Sequence, residues 1–235
     1  AGGADRSVTY DTIAPTLTLQ QAAGQADPAR NASIQFTLTA SESLDGATVA
    51  ASDFTVTNGT GTTVTGSGTT WTITTTASAQ GAVTIAPSGT FSIADPAGNT
   101  QGTAGGADRS VTFDSVAPTL TLAQASNQAD PTNSSSIRFT LTASESLDSA
   151  TVGTSDFTIT NGTGTTVTGS GTTWTITTTA SAQGAVTIAP SGTFSVADPA
   201  GNTTTTASGS DRSVTYDTIA PTVTLSGAPS GTVAT

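Results

Sequence analysis

Carboxylates are the side chains in this sequence with metal-binding or acid–base capacity. The chain holds 16 Asp and Glu against 5 Arg, no Lys, His or Cys, and a formal net charge of −11 over 235 residues. Without His or Cys there is no disulfide, thiolate nucleophile, ordinary zinc site or imidazole base. Without Lys there is no Schiff base and no phosphate-cradling P-loop lysine. An acid-rich surface repels phosphates, so neither nucleic-acid binding nor attraction to anionic membranes is expected. No apolar run reaches the roughly 20 residues that a membrane-spanning helix needs. What remains is hard-cation chemistry. Ca²⁺ takes about 6–8 oxygens from carboxylates, amide carbonyls and water, and a chain rich in loop Asp supplies them.

The acids recur with a fixed period. Asp5–Asp11 reads DRSVTYD, returns at Asp108–Asp114 with Phe113 in place of Tyr10, and returns again at Asp211–Asp217, each time 103 residues on. Segments 5–107 and 108–210 match at 83 of 103 positions, a unit too long for a solenoid and of ordinary domain size. Four segments follow: 1–11 as the last strand of a preceding repeat, 12–114 and 115–217 as two whole repeats, and 218–235 as the start of another. The exchanges Ile13/Val116, Val56/Ile159 and Ile93/Val196 keep apolar character, as buried positions require. Segments 29–32 and 132–135 vary freely among small and polar types, as an exposed loop allows.

The elements that must position the acids are strands. Thr accounts for 55 residues, and Thr, Val and Ile in period-2 alternation favour extended chain over helix or disorder. In the first repeat the pattern predicts strands over 16–20, 33–41, 53–58, 62–65, 70–76, 82–93 with a break at 87–89, and 109–113. Residues 66–68 (GSG) predict a hairpin turn, and Asn58-Gly59 a turn with positive φ. Seven short strands in about 100 residues predict an all-β chain of tandem Ig-like antiparallel β-sandwich domains. An odd strand count puts entry and exit at opposite ends, so copies joined by the Gly-free linkers 10–15, 113–118 and 216–221 are expected to form an extended rod. Trp71 and Trp174 alternate with Ile73 and Ile176 and are read as core. The Thr residues read as scattered, without the flat array an ice-binding face would need.

Tracing these strands end to end sends the loop acids towards the domain junctions. Asp27 is expected at the lower end of the first repeat, facing Asp114, Glu145, Asp148, Asp156, Asp198 and Asn202 of the next. The corresponding set of the first repeat is Asp11, Glu42, Asp45, Asp53, Asp95 and Asn99. Asp130 and Asp217 are the equivalents at the following joint. Like charges gathered there destabilise the joint unless a cation binds, so Ca²⁺ is the expected cofactor and these fifteen residues its candidate ligands. Asp5, Asp108 and Asp211 each precede an Arg and are weaker candidates.

The order of SE (41–42), SDFTVTNG (52–59), GSGTTW (66–71), DPAGN (95–99) and VTYDTIAP (8–15) resembles that of bacterial Ig-like repeats, which occur in tandem in giant cell-surface adhesins. The resemblance implies an extracellular, cell-surface stalk, often stiffened by Ca²⁺ at domain junctions. By motif match it carries ligand roles to Asp11, Asp114, Asp217, Asp95 and Asp198, and less specifically to Glu42 and Glu145. One departure is Val233, which stands 103 residues after Asp130. The expected function is a structural extender that projects a terminal binding domain outside this segment. Its partners would be neighbouring repeats, with any host or surface ligand reached through other domains. The alternatives are an adhesion module that itself binds carbohydrate or protein, and a filament or lattice subunit assembled laterally or by strand pairing through 1–10. A glycosidase pair of acids is not favoured, because the acids sit in duplicate on loop ends without an aromatic cleft, and the chain is expected not to be an enzyme.

Overall fold

The computed structural model describes residues 8–224 and 226–227. It divides into two compact units, residues 1–118 with 197–203 and residues 119–196 with 204–235. The expected strand over 1–10 lies mostly outside the described residues, as does Val233, and residues 8–10 carry no strand.

The first repeat contains β1 (Leu17–Gln21), β2 (Ser33–Ala40), β3 (Phe54–Thr57), β4 (Gly59–Ser67), β5 (Thr70–Ala77), β6 (Gly81–Pro87), β7 (Ile93–Ala94), β8 (Thr100–Gln101) and β9 (Ser110–Phe113). One sheet runs β1-β2-β5-β4 and the other β3-β6-β9, with a small β7-β8 ribbon beside them. This four-on-three order is that of an immunoglobulin constant-type sandwich. The second repeat gives β10 (Leu120–Gln124), β11 (Ser136–Ala143), β12 (Phe157–Thr160), β13 (Gly162–Ser170), β14 (Thr173–Ala180), β15 (Gly184–Pro190), β16 (Val196–Ala197), β17 (Thr203–Thr204) and β18 (Ser213–Tyr216). Its main sheets, β10-β11-β14-β13 and β12-β15-β18, repeat the arrangement.

Alternation explains which face is buried. Ile34, Phe36, Leu38 and Ala40 of β2 all point inwards, opposite Trp71 and Ile73 of β5 and Val83, Ile85 and Val111 of the other sheet. Phe54 and Phe91 close one side of this layer edge to face, with ring centroids 6.0 Å apart. Trp71 is buried in the core and its indole N–H donates to the Gly68 carbonyl at 3.2 Å. Outward Thr residues do not scatter. They stand opposite one another, Thr37 against Thr72, Thr72 against Thr65, Thr39 against Thr70 and Thr74 against Thr63. The register thus builds cross-strand Thr rows that sequence alternation alone did not reveal, and facing β-branched pairs of this kind stabilise a sheet.

Local turn chemistry adjusts several expected boundaries. Asn58 takes φ +58°, as its position before Gly59 suggested, but β4 starts directly after it and runs to Ser67. A bulge between Thr60 and Thr63 absorbs the residues expected to be loop. The hairpin tip is Gly68-Thr69, since Ser67 faces Thr70. The break expected at 87–89 is present: β6 ends at Pro87, which has no N–H to continue the ladder, and β7 forms separately. Two 3-10 turns, Gly46–Thr48 and Ala51–Asp53, occupy the crossing between sheets, where no helical period is present.

Gly106 marks the tightest approach of chain segments. It has φ +115°, and a Cβ there would lie 2.0 Å from the Leu19 carbonyl oxygen. Gly24 has φ +83° with nothing within 4 Å of its would-be Cβ. Gly106→Ala is therefore expected to cost about 3 kcal/mol or more, combining strain with displaced backbone, against about 1 kcal/mol for Gly24→Ala. Urea denaturation of the two variants checks this; equal costs would show that β1 and the 104–109 segment separate freely.

Candidate metal centre

Three segments distant in sequence converge at one end of the first repeat. Asp11 lies on the chain leading into β1, and its Oδ1 accepts the Ile13 N–H at 3.0 Å, which turns the chain locally. Glu42 follows β2 directly. Its position is set by Ser41, whose N–H donates to the Thr16 carbonyl at 3.0 Å while its Oγ accepts the Thr16 N–H at 2.9 Å. Asp95 follows β7 and opens the turn to β8. One carboxylate oxygen from each of Asp11, Glu42 and Asp95 lies within 4.8 Å of the others.

The Asp95–Asn99 turn is closed by its own polar groups. Asp95 N–H donates to the Asn99 carbonyl and Gly98 N–H to the Asp95 carbonyl, both at 3.1 Å. The Asn99 N–H reaches Asp95 Oδ1 at 2.9 Å and its Nδ2 reaches Asp95 Oδ2 at 2.7 Å. The same Nδ2 also donates to the Asp11 carbonyl at 3.3 Å. Asn99, a candidate ligand from sequence, is in this geometry a brace. It donates to both oxygens of a buried carboxylate and ties the incoming chain to the turn. Asn202 repeats the pattern, with Nδ2 bonds of 2.9 Å to Asp198 Oδ2 and to the Asp114 carbonyl.

The two best-defined acids are pushed in opposite directions. Hydrogen bonding by the Asn99 side chain holds the Asp95 carboxyl below its ordinary range against the opposing effect of burial, with N–H groups of Asn99, Ala97 and Gly98 assisting. Glu42 is raised above its ordinary value, first by desolvation and then by the negative charges of Asp11 and Asp95. A braced Asp95 that favours its ionised form, beside a Glu42 that resists ionisation, makes a site short of positive charge.

The structure separates the other candidates from this cluster. Asp27 Oδ1 accepts the Thr112 N–H at 2.9 Å, and Asp130 Oδ1 the Thr215 N–H at 2.8 Å, so both serve the backbone of the last strand of their own repeat. Asp45 and Asp148 cap 3-10 turns through Ala47 N–H and Ala150 N–H, each at 3.0 Å. Asp53 and Asp156 are buried and accept the Ala50 and Gly153 N–H groups at 2.7 Å. These six acids were grouped with the ligands because they lie at loop ends. The nearest backbone N–H is what each carboxylate meets instead. Asp114 and Asp217 make the same local turn as Asp11, to Val116 N–H at 3.0 Å and Ile219 N–H at 2.8 Å. Glu145 follows β11 as Glu42 follows β2, and Asp198 is buried as Asp95 is. The offset of 103 thus carries all three residue types of the cluster to Asp114, Glu145 and Asp198. Sequence reasoning missed Arg109 and Arg212, whose guanidinium groups bond to backbone carbonyls; the only signal was their fixed place before the last strand.

No family model matches this sequence, and no curated protein matches it. Among solved structures, an adhesin of Yersinia pseudotuberculosis, InvE, aligns with 86% of this chain and 58% of its own, at 16% identity and a TM-score of 0.29. The chain therefore spans a little over half of that adhesin's length. The architecture defined by the chain's own strands is that of an all-β protein of repeated two-sheet sandwiches.

The opposed shifts fix the sign of a pH effect. Glu42, raised in the folded state, contributes stability when protonated, and that contribution is lost as pH climbs from its ordinary value of 4.5 through the folded value. Asp95, lowered, contributes above its ordinary value of 3.8 and loses that contribution as pH falls below it. In chelator, Glu42→Gln is expected to remove part of the stability loss between pH 4.5 and 7. Urea titrations across that range check it, and parallel pH profiles for the two proteins would contradict it.

Proposed function

We propose that this chain is an extender segment of a bacterial cell-surface adhesin, in which Ca²⁺ bound by Asp11, Glu42 and Asp95 ties the incoming chain to the loops at one end of a repeat. The observation that carries the reading is the meeting of three carboxylates from three separate chain segments. The donor set fits the ion. All three are hard oxygen ligands carried by separate chain segments, and Ca²⁺ tolerates irregular coordination where Mg²⁺ demands a near-ideal octahedron. Bound there, the ion supplies the positive charge that Glu42 and its neighbours lack.

The role is mechanical and not catalytic. Cation binding joins the linker residue Asp11 to Glu42 after β2 and Asp95 after β7, restricting how the chain pivots as it enters β1. Repetition of the same residue types at Asp114, Glu145 and Asp198 makes the chemistry available at every repeat. In this reading the chain works outside the cell, its partners are neighbouring repeats, and the surface that meets a host or ligand belongs to domains beyond this segment.

Thermal melting of the whole chain with EDTA and with excess Ca²⁺ tests the proposal. Ca²⁺ at about 100 times its Kd is expected to add about 2.7 kcal/mol for one site, with a corresponding rise in Tm. The double variant Glu42→Gln/Glu145→Gln is expected to be more stable than the parent in EDTA and to lose most of the Ca²⁺-dependent gain. A parent Tm that is the same in both conditions overturns the proposal.

A further inference from the structure

Beside the linker that leaves each repeat, one glutamine holds a linker residue with both ends of its amide. Ser115 directly follows Asp114. Its N–H donates to Gln80 Oε1 at 3.1 Å, and its Oγ accepts from Gln80 Nε2 at 2.7 Å. In the second repeat Thr218 directly follows Asp217. Its N–H donates to Gln183 Oε1 at 3.0 Å, and Gln183 Nε2 donates to its Oγ1. Two bonds to one residue fix the direction of its backbone and the rotamer of its side chain. Such a grip needs a hydroxyl on the partner, and positions 12, 115 and 218 are Thr, Ser and Thr.

The glutamines stand on a loop that is itself braced. Gln80 lies between β5 and β6. Asn58 Nδ2 donates to the Ala79 carbonyl at 2.8 Å and to the Ala82 carbonyl at 3.3 Å, and its Oδ1 accepts the Ala79 N–H at 3.0 Å. Asn161 makes the same three bonds to Ala182 and Ala185 around Gln183. Gly81 faces Phe113 and Gly184 faces Tyr216, so each loop lies beside the end of the last strand, where the linker begins.

The residue held in this way is the middle of a turn made by a candidate ligand. Asp114 Oδ1 accepts the Val116 N–H at 3.0 Å, closing the turn across Ser115. Asp217 Oδ1 accepts the Ile219 N–H at 2.8 Å across Thr218. Fixing the middle residue fixes the turn, and with it the direction of the carboxylate. The backbone of Asp114 is tied as well: its N–H donates to the Ala29 carbonyl at 2.9 Å, and its carbonyl accepts from Asn202 Nδ2 at 2.9 Å. A ligand ordered in advance loses less entropy when it binds. We propose that Gln80 and Gln183 are positioning residues that set the direction of Asp114 and Asp217 before any cation arrives. The inference rests on the Ca²⁺ reading of these acids. Gln80 and Ser115 are exposed, so their bonds contribute little to global stability, and the effect falls on affinity.

A Ca²⁺ titration of the whole chain, followed by NMR through the backbone amides of Asn99 and Asn202, tests this. Each amide donates to the buried Asp of its own turn, Asp95 or Asp198. Gln80→Ala is expected to move the Asn202 midpoint to about fivefold higher Ca²⁺, the effect of about one net hydrogen bond. The Asn99 midpoint and the Tm in EDTA are expected to stay unchanged, while the Ser115 amide in EDTA exchanges with solvent several-fold faster. Ser115→Thr, which places at 115 the residue found at 218, is expected to match the parent, and Ser115→Ala to lose part of the affinity. An Asn202 midpoint that Gln80→Ala leaves unchanged overturns the proposal, as do equal shifts at both amides or a lowered Tm in EDTA. A parent chain that binds no Ca²⁺ overturns the metal reading and this inference with it; a parent and a Gln80→Ala variant that bind alike overturn this inference alone.

Discussion

The apolar layer between the two sheets is thin, and the placement of everything else depends on it. Hydrophobic residues make up only 34% of the chain, so the inner faces have to be filled with few side chains. Ile34, Phe36, Leu38, Ile73, Val83 and Val111 are wholly or almost wholly buried, and they leave the outer faces to Thr. Close packing of this layer decides the register of β2 against β5, since a slip of one residue would turn every apolar side chain outwards. With the register set, the ends of β2 and β7 come to the same end of the sandwich, and so Glu42 and Asp95 are neighbours.

Around that frame, carboxylates do two different jobs with one chemistry. Where a free backbone N–H lies close, as at Ala47, Ala50 and Thr112, the carboxylate accepts it and becomes part of the fold. Where three carboxylates face one another, Asp11 accepts one local N–H, while both oxygens of Asp95 are held by Asn99. Asn99 in effect preloads the site. It keeps one charge in place under burial, and that charge adds to desolvation and to the Asp11 charge in raising Glu42.

The edge of the sandwich shows a comparable division of labour. Isolated parallel bridges join β1 to Gly105 and Ala29 to β9, and the close approach requires a glycine at 106 because the Leu19 carbonyl occupies the space a side chain would need. An Arg and an Asp are drawn towards these bridges from opposite sides. The same pair of residue types looks, from sequence, like ordinary solvated charge.

The sequence by itself determined the repeat length, the all-β class, most of the core and the oxygen chemistry of the loops; Ile13 and Val116, read as buried from their apolar exchange, are exposed. Each of these is carried by local alternation, by composition or by direct repetition. Alternation placed Ile34, Phe36 and Leu38 on one face correctly and marked Trp71 as core, because period 2 is a property of extended backbone. The bulge between Thr60 and Thr63 and the Thr rows were not legible, since they depend on which residue faces which across strands. Of the acids, sequence grouped Asp27, Asp45 and Asp53 with Asp11, Glu42 and Asp95, as all of them end strands or loops. Only the tertiary structure separated them. A carboxylate reaches just a few ångströms, so whether it meets a backbone N–H or another carboxylate is decided by how the chain turns around it and by what packing brings to its side.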